Sequence, residues 1–149
     1  SKEMFDVVKK ELKNKFDIVI MAAAVSDYIP KNPSKKKIKS SKTNISISLK
    51  KTPKIINEIK KMQKNVLLVG FKAETNVTNT QLIKSAKKKL KESSSDIIIA
   101  NDIGISRYKK NSQNNQIIIV DSKKNIVSGW MKKDKIAKII RKQIESKLK

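Results

Sequence analysis

Residues Ile18-Val19-Ile20-Met21-Ala22-Ala23-Ala24-Val25 form an unbroken apolar run that stops at Ser26-Asp27-Tyr28. Eight apolar residues without alternation predict a strand covered on both faces, the pattern of a parallel sheet between helices. Three shorter runs repeat the signal: Val66 to Val69, Ile97 to Ala100 and Ile117 to Val120. Between them the apolar residues take helical spacing. Met4, Val7, Val8 and Leu12 precede the first run, Ile55, Ile56, Ile59 and Met62 the second, and Leu82, Ile83, Ala86 and Leu90 the third. Ile136, Ile139, Ile140, Ile144 and Leu148 line a last helix. The order helix, strand, helix, strand, helix, strand, strand, helix is that of an α/β fold with a mainly parallel sheet.

Two helix starts are legible. Thr52 is placed to cap the helix of Ile55, with Pro53 at its first position, where a missing N–H costs nothing. Thr78 and Gln81 have capping-box spacing. Asn44 to Leu49 alternates, with Ile45, Ile47 and Leu49 apolar, and predicts a half-buried strand acting as an arm or edge. The basic stretch Lys31 to Lys42 before it reads as an exposed loop. No linker or internal repeat divides the chain, so residues 1–149 read as a single domain.

Composition narrows the chemistry. The chain has 149 residues, 38% of them apolar, enough for one modest core. Thirty-six Lys+Arg against 13 Asp+Glu give a net charge of +23, which favours anionic partners. With no Cys and no His, disulfides, thiol nucleophiles and histidine bases are excluded. Gly70, Gly104 and Gly129 are the only glycines, too far apart for a P-loop or a dinucleotide-binding loop. A phosphate site must therefore rest on lysines, a metal and helix N-termini. No apolar run approaches the roughly 18 residues of a membrane span and no signal peptide is legible, so the expected compartment is the cytoplasm.

Ligands of open parallel sheets collect at the carboxyl ends of the strands. There Ala22 to Ala24 allow close backbone approach, and Asp27 suits Mg²⁺ or a hydroxyl; a core strand closed by an Asp turn reads equally well. Phe71, in Val69-Gly70-Phe71-Lys72-Ala73-Glu74-Thr75, is placed to stack on a base or to join the core. Ala100-Asn101-Asp102 reads as a ligand turn or a capped turn. Lys35-Lys36-Lys37-Ile38-Lys39 offers charge to a triphosphate, or simply a solvated basic run.

Taken in order, the segment ending at Asp27, Lys37-Ile38-Lys39 ten residues later, Lys51-Thr52-Pro53-Lys54-Ile55, Val69 to Thr75 and Ala100-Asn101-Asp102 resemble the phosphopantothenate–cysteine ligase family. The resemblance spans nearly the whole chain. It implies a Rossmann-like three-layer fold with an additional β arm, and a homodimer that joins 4′-phosphopantothenate to cysteine through an acyl-nucleotide formed from CTP or ATP. Family members are usually fused behind a flavin-dependent decarboxylase. By the same resemblance Met21, Ala22 and Ala23 meet the nucleotide through backbone, and Asp27 holds it with Mg²⁺. Lys37 is the lysine of acyl transfer. Pro53, Lys54, Ile55 and Ile56 present helix amides, Phe71 packs beside the nucleotide, and Lys89 adds a cation. The resemblance also makes the segment of Asn44 to Leu49 the arm of the dimer. Two positions depart from the family pattern: Lys54 stands where many members carry Asp, and Ser93 where a second basic residue is frequent. Segments that open family members have no match here, so the chain reads as the C-terminal part of the ligase domain. The alternatives from other classes are a basic nucleic-acid-binding domain, which explains the charge but not the motif series, and a dimerising fragment without turnover.

Overall fold

The computed structural model describes residues 2–34, 36–38, 44–104 and 113–148. Helix α1 (Lys2–Glu11) and a 3-10 turn (Leu12–Asn14) lead into β1 (Ile18–Met21). A ribbon of β2 (Tyr28–Pro30) and β3 (Leu49–Lys51) precedes α2 (Ile55–Met62), β4 (Leu67–Glu74), α3 (Asn79–Ser93) and β5 (Ile97–Asp102). The chain continues through β6 (Asn114–Asn115), β7 (Ile118–Val120), β8 (Asn125–Val127), β9 (Met131–Lys132) and α4 (Lys133–Leu148).

The central sheet has the order β1-β4-β5-β7-β8. Its first three strands are parallel, with Met21 opposite Gly70 and Val69 opposite Ile97. An antiparallel hairpin, β7–β8, completes the sheet beside β5. Alternation along β5 sorts the core. Ile97 and Ile99 pack with Val69, Ile119 and the α4 residues Ile136 and Ile144 on one face, while Ile98 and Ala100 pack with Leu82 and Ala86 of α3 on the other. Leu68 meets Ile56 and Ile59 of α2 and Leu12 on that second face. The fold is thus three-layered and α/β, with α1, α2 and α3 on one side of a mainly parallel sheet and α4 on the other.

Three expectations need correction. The strand of residues 18–25 stops at Met21, and being the edge of the sheet it is not buried on both faces: Ile20 is 51% exposed. Helix α2 starts at Ile55 with Lys54 at the N-cap, and no side chain caps it. Thr52 and Pro53 both lie before that N-cap, and Thr52 is tied instead to the turn after β1, its Oγ1 donating to the Ser26 carbonyl at 2.7 Å and its N–H to the Asp27 carbonyl at 2.9 Å. The alternating segment 44–49 enters a strand only at Leu49, where β3 pairs with Tyr28–Pro30. Its apolar face is not half-buried: Ile45, Ile47 and Leu49 are 50%, 61% and 57% exposed, since the ribbon lies outside the central sheet. Of the basic loop, residues 31–34 and 36–38 are exposed as expected, and Lys35 and Lys39 to Lys42 lie outside the described residues. The capping box at Thr78 is present as read, Thr78 Oγ1 accepting from the Gln81 amide at 3.3 Å.

Candidate functional site

β1 and β4 run parallel, so their carboxyl ends open on the same side of the sheet. β4 continues past β1 to Glu74, and the step between the two ends leaves a cavity of about 570 Å³. The N-terminus of α2 closes one wall and the Ser85 to Glu92 face of α3 another. Gly70 sets how closely α2 can approach: a Cβ there would stand 2.6 Å from Ile56 Cδ1 and 2.9 Å from Ile98 Cδ1.

This cavity gathers most of the residues singled out from sequence. Met21, Ala23, Asp27, Pro53, Lys54, Ile55, Ile56, Phe71 and Lys89 all line it. Ala22 and Lys37 do not, and Lys37 sits in the exposed basic loop. Asp102 is occupied elsewhere. It is buried, with Oδ1 accepting the amides of Asn76 and Gly104 at 2.8 and 2.9 Å, so the end of β5 is a capped turn.

Charge in the cavity is uneven. Lys89 has its pKa lowered, first by burial and then by the nearby charge of Lys54, against the pull of Glu92 and Asp27. Neither Lys54 nor Lys89 forms an ion pair among the described residues. Two lysines held near each other beside the uncapped amides of α2 favour an anion. Further in, Ser85 Oγ donates to Glu74 Oε1 at 2.5 Å and Lys72 Nζ lies 3.0 Å from the same oxygen. These two contacts hold the Glu74 carboxyl below its ordinary range, outweighing its partial burial. Sequence reading gave Lys72, Glu74, Ser85 and Lys88 no role, although all four line the cavity. Helical spacing on α3 places Ser85, Lys88, Lys89 and Glu92 on one face and was a usable signal; their meeting with β4 is a tertiary fact.

Asp27 is exposed, and its carboxylate has no hydrogen bond or ion pair among the described residues. No group of three acidic, His or Cys side chains able to cage a metal exists among those residues. A single free carboxylate is the donor set that fits Mg²⁺ arriving with phosphate oxygens and water as its other ligands. No helix of the described residues is long and apolar enough to cross a membrane.

Comparison with known proteins gives one consistent result. Residues 1–148 match the model of the DNA/pantothenate metabolism flavoprotein C-terminal domain. The chain is 40% identical over 119 residues to the coenzyme A biosynthesis bifunctional protein CoaBC of Thermococcus kodakarensis, covering 79% of this chain and 28% of that protein. It is 39% identical over 145 residues to the protein of the same name from Borreliella burgdorferi, covering 95% and 35%. The chain therefore spans about a third of the curated relatives it matches. The crystal structure of the DNA/pantothenate metabolism flavoprotein from Streptococcus pneumoniae superposes with a TM-score of 0.82 at 26% identity, over 98% of this chain and 69% of that one.

Proposed function

The chain belongs to the family of DNA/pantothenate metabolism flavoprotein C-terminal domains, and from that premise we propose that it carries the nucleotide-activating site of a phosphopantothenate–cysteine ligase of coenzyme A synthesis. One observation carries the reading: segments far apart in sequence, at Met21 to Asp27, Pro53 to Ile56, Phe71 and Lys89, line a single cavity in which the unpaired cations Lys54 and Lys89 outweigh the unpaired Asp27. CTP is the nucleotide of this proposal, with ATP its competitor in the test.

The reaction has two displacements. The carboxylate of 4′-phosphopantothenate attacks the α-phosphorus of CTP, an acyl–phosphate bond forms, the bond to the β-phosphate breaks and pyrophosphate leaves. The amine of cysteine then attacks the acyl carbon, a C–N bond forms and cytidine monophosphate leaves with the bonding pair. Both steps gather negative charge on phosphate oxygens, so fixed cations and amides lower the barrier and neither His nor Cys side chains are needed. Lys54 and Lys89, with the α2 amides of Ile55 and Ile56, oppose the triphosphate charge. The backbone of Met21 and Ala23, which line the cavity, flanks the nucleotide with Phe71. Lys37, on its exposed loop, supplies charge during acyl transfer. Asp27 is the residue that would hold Mg²⁺, which when bound neutralises triphosphate charge.

The whole protein extends the proposal. The exposed ribbon, with Tyr28, Ile45, Ile47 and Leu49 uncovered, suits contact with a second copy in a homodimer. The bifunctional relatives suit a flavin-dependent decarboxylase on the same polypeptide, in the cytoplasm.

Titration calorimetry with CTP and with ATP, each with Mg²⁺, tests the site. Micromolar binding of CTP that is lost in Asp27→Asn and kept in Lys37→Ala, whose role is in acyl transfer, is the expected result. Binding of neither nucleotide overturns it, and tighter binding of ATP reassigns the nucleotide.

A further inference from the structure

Lys72, Glu74 and Ser85 form a constructed group in the cavity that the resemblance leaves without a task. Lys72 and Glu74 stand two residues apart on β4 and so share a face of the strand. Ser85 comes from α3, eleven residues along the chain. Both contacts, at 2.5 Å from Ser85 and 3.0 Å from Lys72, converge on Oε1 of Glu74. Oε2 has no partner among the described residues, and the group lines the cavity.

This geometry has a chemical consequence. The ammonium and the hydroxyl fix the carboxylate in one orientation and in its ionised form, leaving an acceptor oxygen beside a cation. Phosphate is repelled by such an oxygen; its place is the unpaired cations Lys54 and Lys89. A hydroxyl fits better than an amine, because a hydroxyl donates to the carboxylate and also accepts from Lys72, whereas an exocyclic amine of a base accepts nothing useful. The cavity is thus polarised, with an anion end at α2 and a hydroxyl-binding end at the tip of β4. An acidic side chain that takes a ribose hydroxyl is known from dinucleotide-binding α/β folds, where it serves the same chemistry on a different loop.

We propose that Glu74, oriented by Lys72 and Ser85, accepts a hydrogen bond from a ribose hydroxyl of the bound nucleotide and makes the site selective for ribonucleotides over deoxyribonucleotides. The proposal rests on the nucleotide reading of the cavity. Glu74 is the group that touches the ligand; Ser85 is a positioning residue.

The test is titration calorimetry of the chain with CTP, 2′-deoxy-CTP, 3′-deoxy-CTP and UTP, in Mg²⁺, using the unaltered chain, Glu74→Ala, Glu74→Gln and Ser85→Ala, with thermal melts to check folding. In the unaltered chain one deoxy analogue binds roughly ten- to hundredfold more weakly than CTP, the cost of a hydrogen bond to a charged group. In Glu74→Ala that ratio falls to about twofold or less, through weaker CTP binding, while the deoxy analogue is little changed. Ser85→Ala lowers the ratio in part and keeps the fold even if Glu74→Ala does not. An unchanged ratio in the Glu74 variants overturns the proposal and spares the nucleotide site. So does loss of a CTP-over-UTP preference in place of the sugar ratio, which would put Glu74 on the base. Failure of the unaltered chain to bind any of the four removes the nucleotide reading and the proposal together.

Discussion

Asp27 and Asp121 each close an apolar run of this chain, and the structure uses the two carboxylates in opposite ways. Asp121 follows β7 and its side chain is 1% exposed. Its Oδ1 accepts the amides of Lys123 and Lys124 at 2.7 and 2.8 Å, and its Oδ2 accepts from Gln143 at 3.2 Å and pairs with Lys147 at 2.9 Å. It closes the β7–β8 turn and ties the hairpin to α4. Asp27 follows the run of β1, is exposed, and holds nothing among the described residues except through its backbone carbonyl. The contrast extends to the elements around them. Near Asp121 strand β7 is buried and the carboxylate is paired, though β8 beyond the turn is the other edge of the sheet; near Asp27 lie an edge strand, an uncapped helix and two unpaired lysines. An aspartate whose acceptor sites are all taken internally stabilises the fold, and one whose sites are open is available to a ligand.

The contrast is broken most severely by cutting the same residue type on the two sides. Ile98 on β5 is fully buried, and Ile98→Ala is expected to cost about 4 kcal/mol, the transfer term plus a cavity between α3 and the sheet. Ile20→Ala on edge strand β1, where the side chain is half exposed, is expected to cost less than about 1 kcal/mol. Urea unfolding of the two variants checks the difference; equal costs would mean that β1 is covered in solution.

Asp121→Ala is the next largest effect, at about 3 kcal/mol, because it strips partners from two amides, Gln143 and Lys147. Asp27→Ala is expected to leave the melting temperature unchanged. The pair also differs with pH. Burial pushes the Asp121 carboxyl up, but Lys147 and the amides of Lys124 and Lys123 outweigh it and hold its pKa below the ordinary 3.8. A carboxyl depressed in the folded state contributes stability that is full above its unfolded pKa and is lost as pH falls through its folded one. The unaltered chain should therefore lose stability below about pH 4 more steeply than Asp121→Ala, whose acid limb is flatter. Parallel acid limbs for the two proteins would show that Asp121 keeps an ordinary pKa.

How much of this was readable from sequence follows the same division. The closed region was legible, because uninterrupted runs such as 97–100 and the helical spacing of Leu82 and Ala86 report local periodicity and burial together. The capping box at Thr78 was legible because both partners lie within one turn. The open region was less so. The Tyr28–Pro30 pairing with Leu49–Lys51 joins residues about twenty apart, and neither strand has a buried face to give it a pattern. The start of α2 was misread because the helix begins at Ile55, three residues beyond Thr52, whose N–H and hydroxyl donate to the Asp27 and Ser26 carbonyls in contacts that only tertiary structure creates. The cavity residues Met21, Asp27, Lys54, Phe71 and Lys89 came from motif resemblance, whereas the Glu74–Ser85 contact needs β4 and α3 already docked.

A modest gain in stability at the open end sharpens the contrast, because it moves stability and binding in opposite directions. Lys54 occupies the N-cap of α2 without capping it, and its charge contributes to the lowered pKa of Lys89. Lys54→Asp places a carboxylate where it can accept from the first-turn amides and oppose the positive end of the helix, a gain of about 1 kcal/mol. The same substitution turns a cation into an anion at the phosphate end of the cavity and occupies amides that a phosphate would use. Nucleoside triphosphate affinity is therefore expected to fall by at least about tenfold while the melting temperature rises. The pKa of Lys89 should move up, since a nearby positive charge is replaced by a negative one, and titration of the lysine side-chain resonances by NMR reads this directly. A rise in stability with unchanged affinity would separate the α2 terminus from the ligand, and an unmoved Lys89 would mean that Lys54 points away from the cavity.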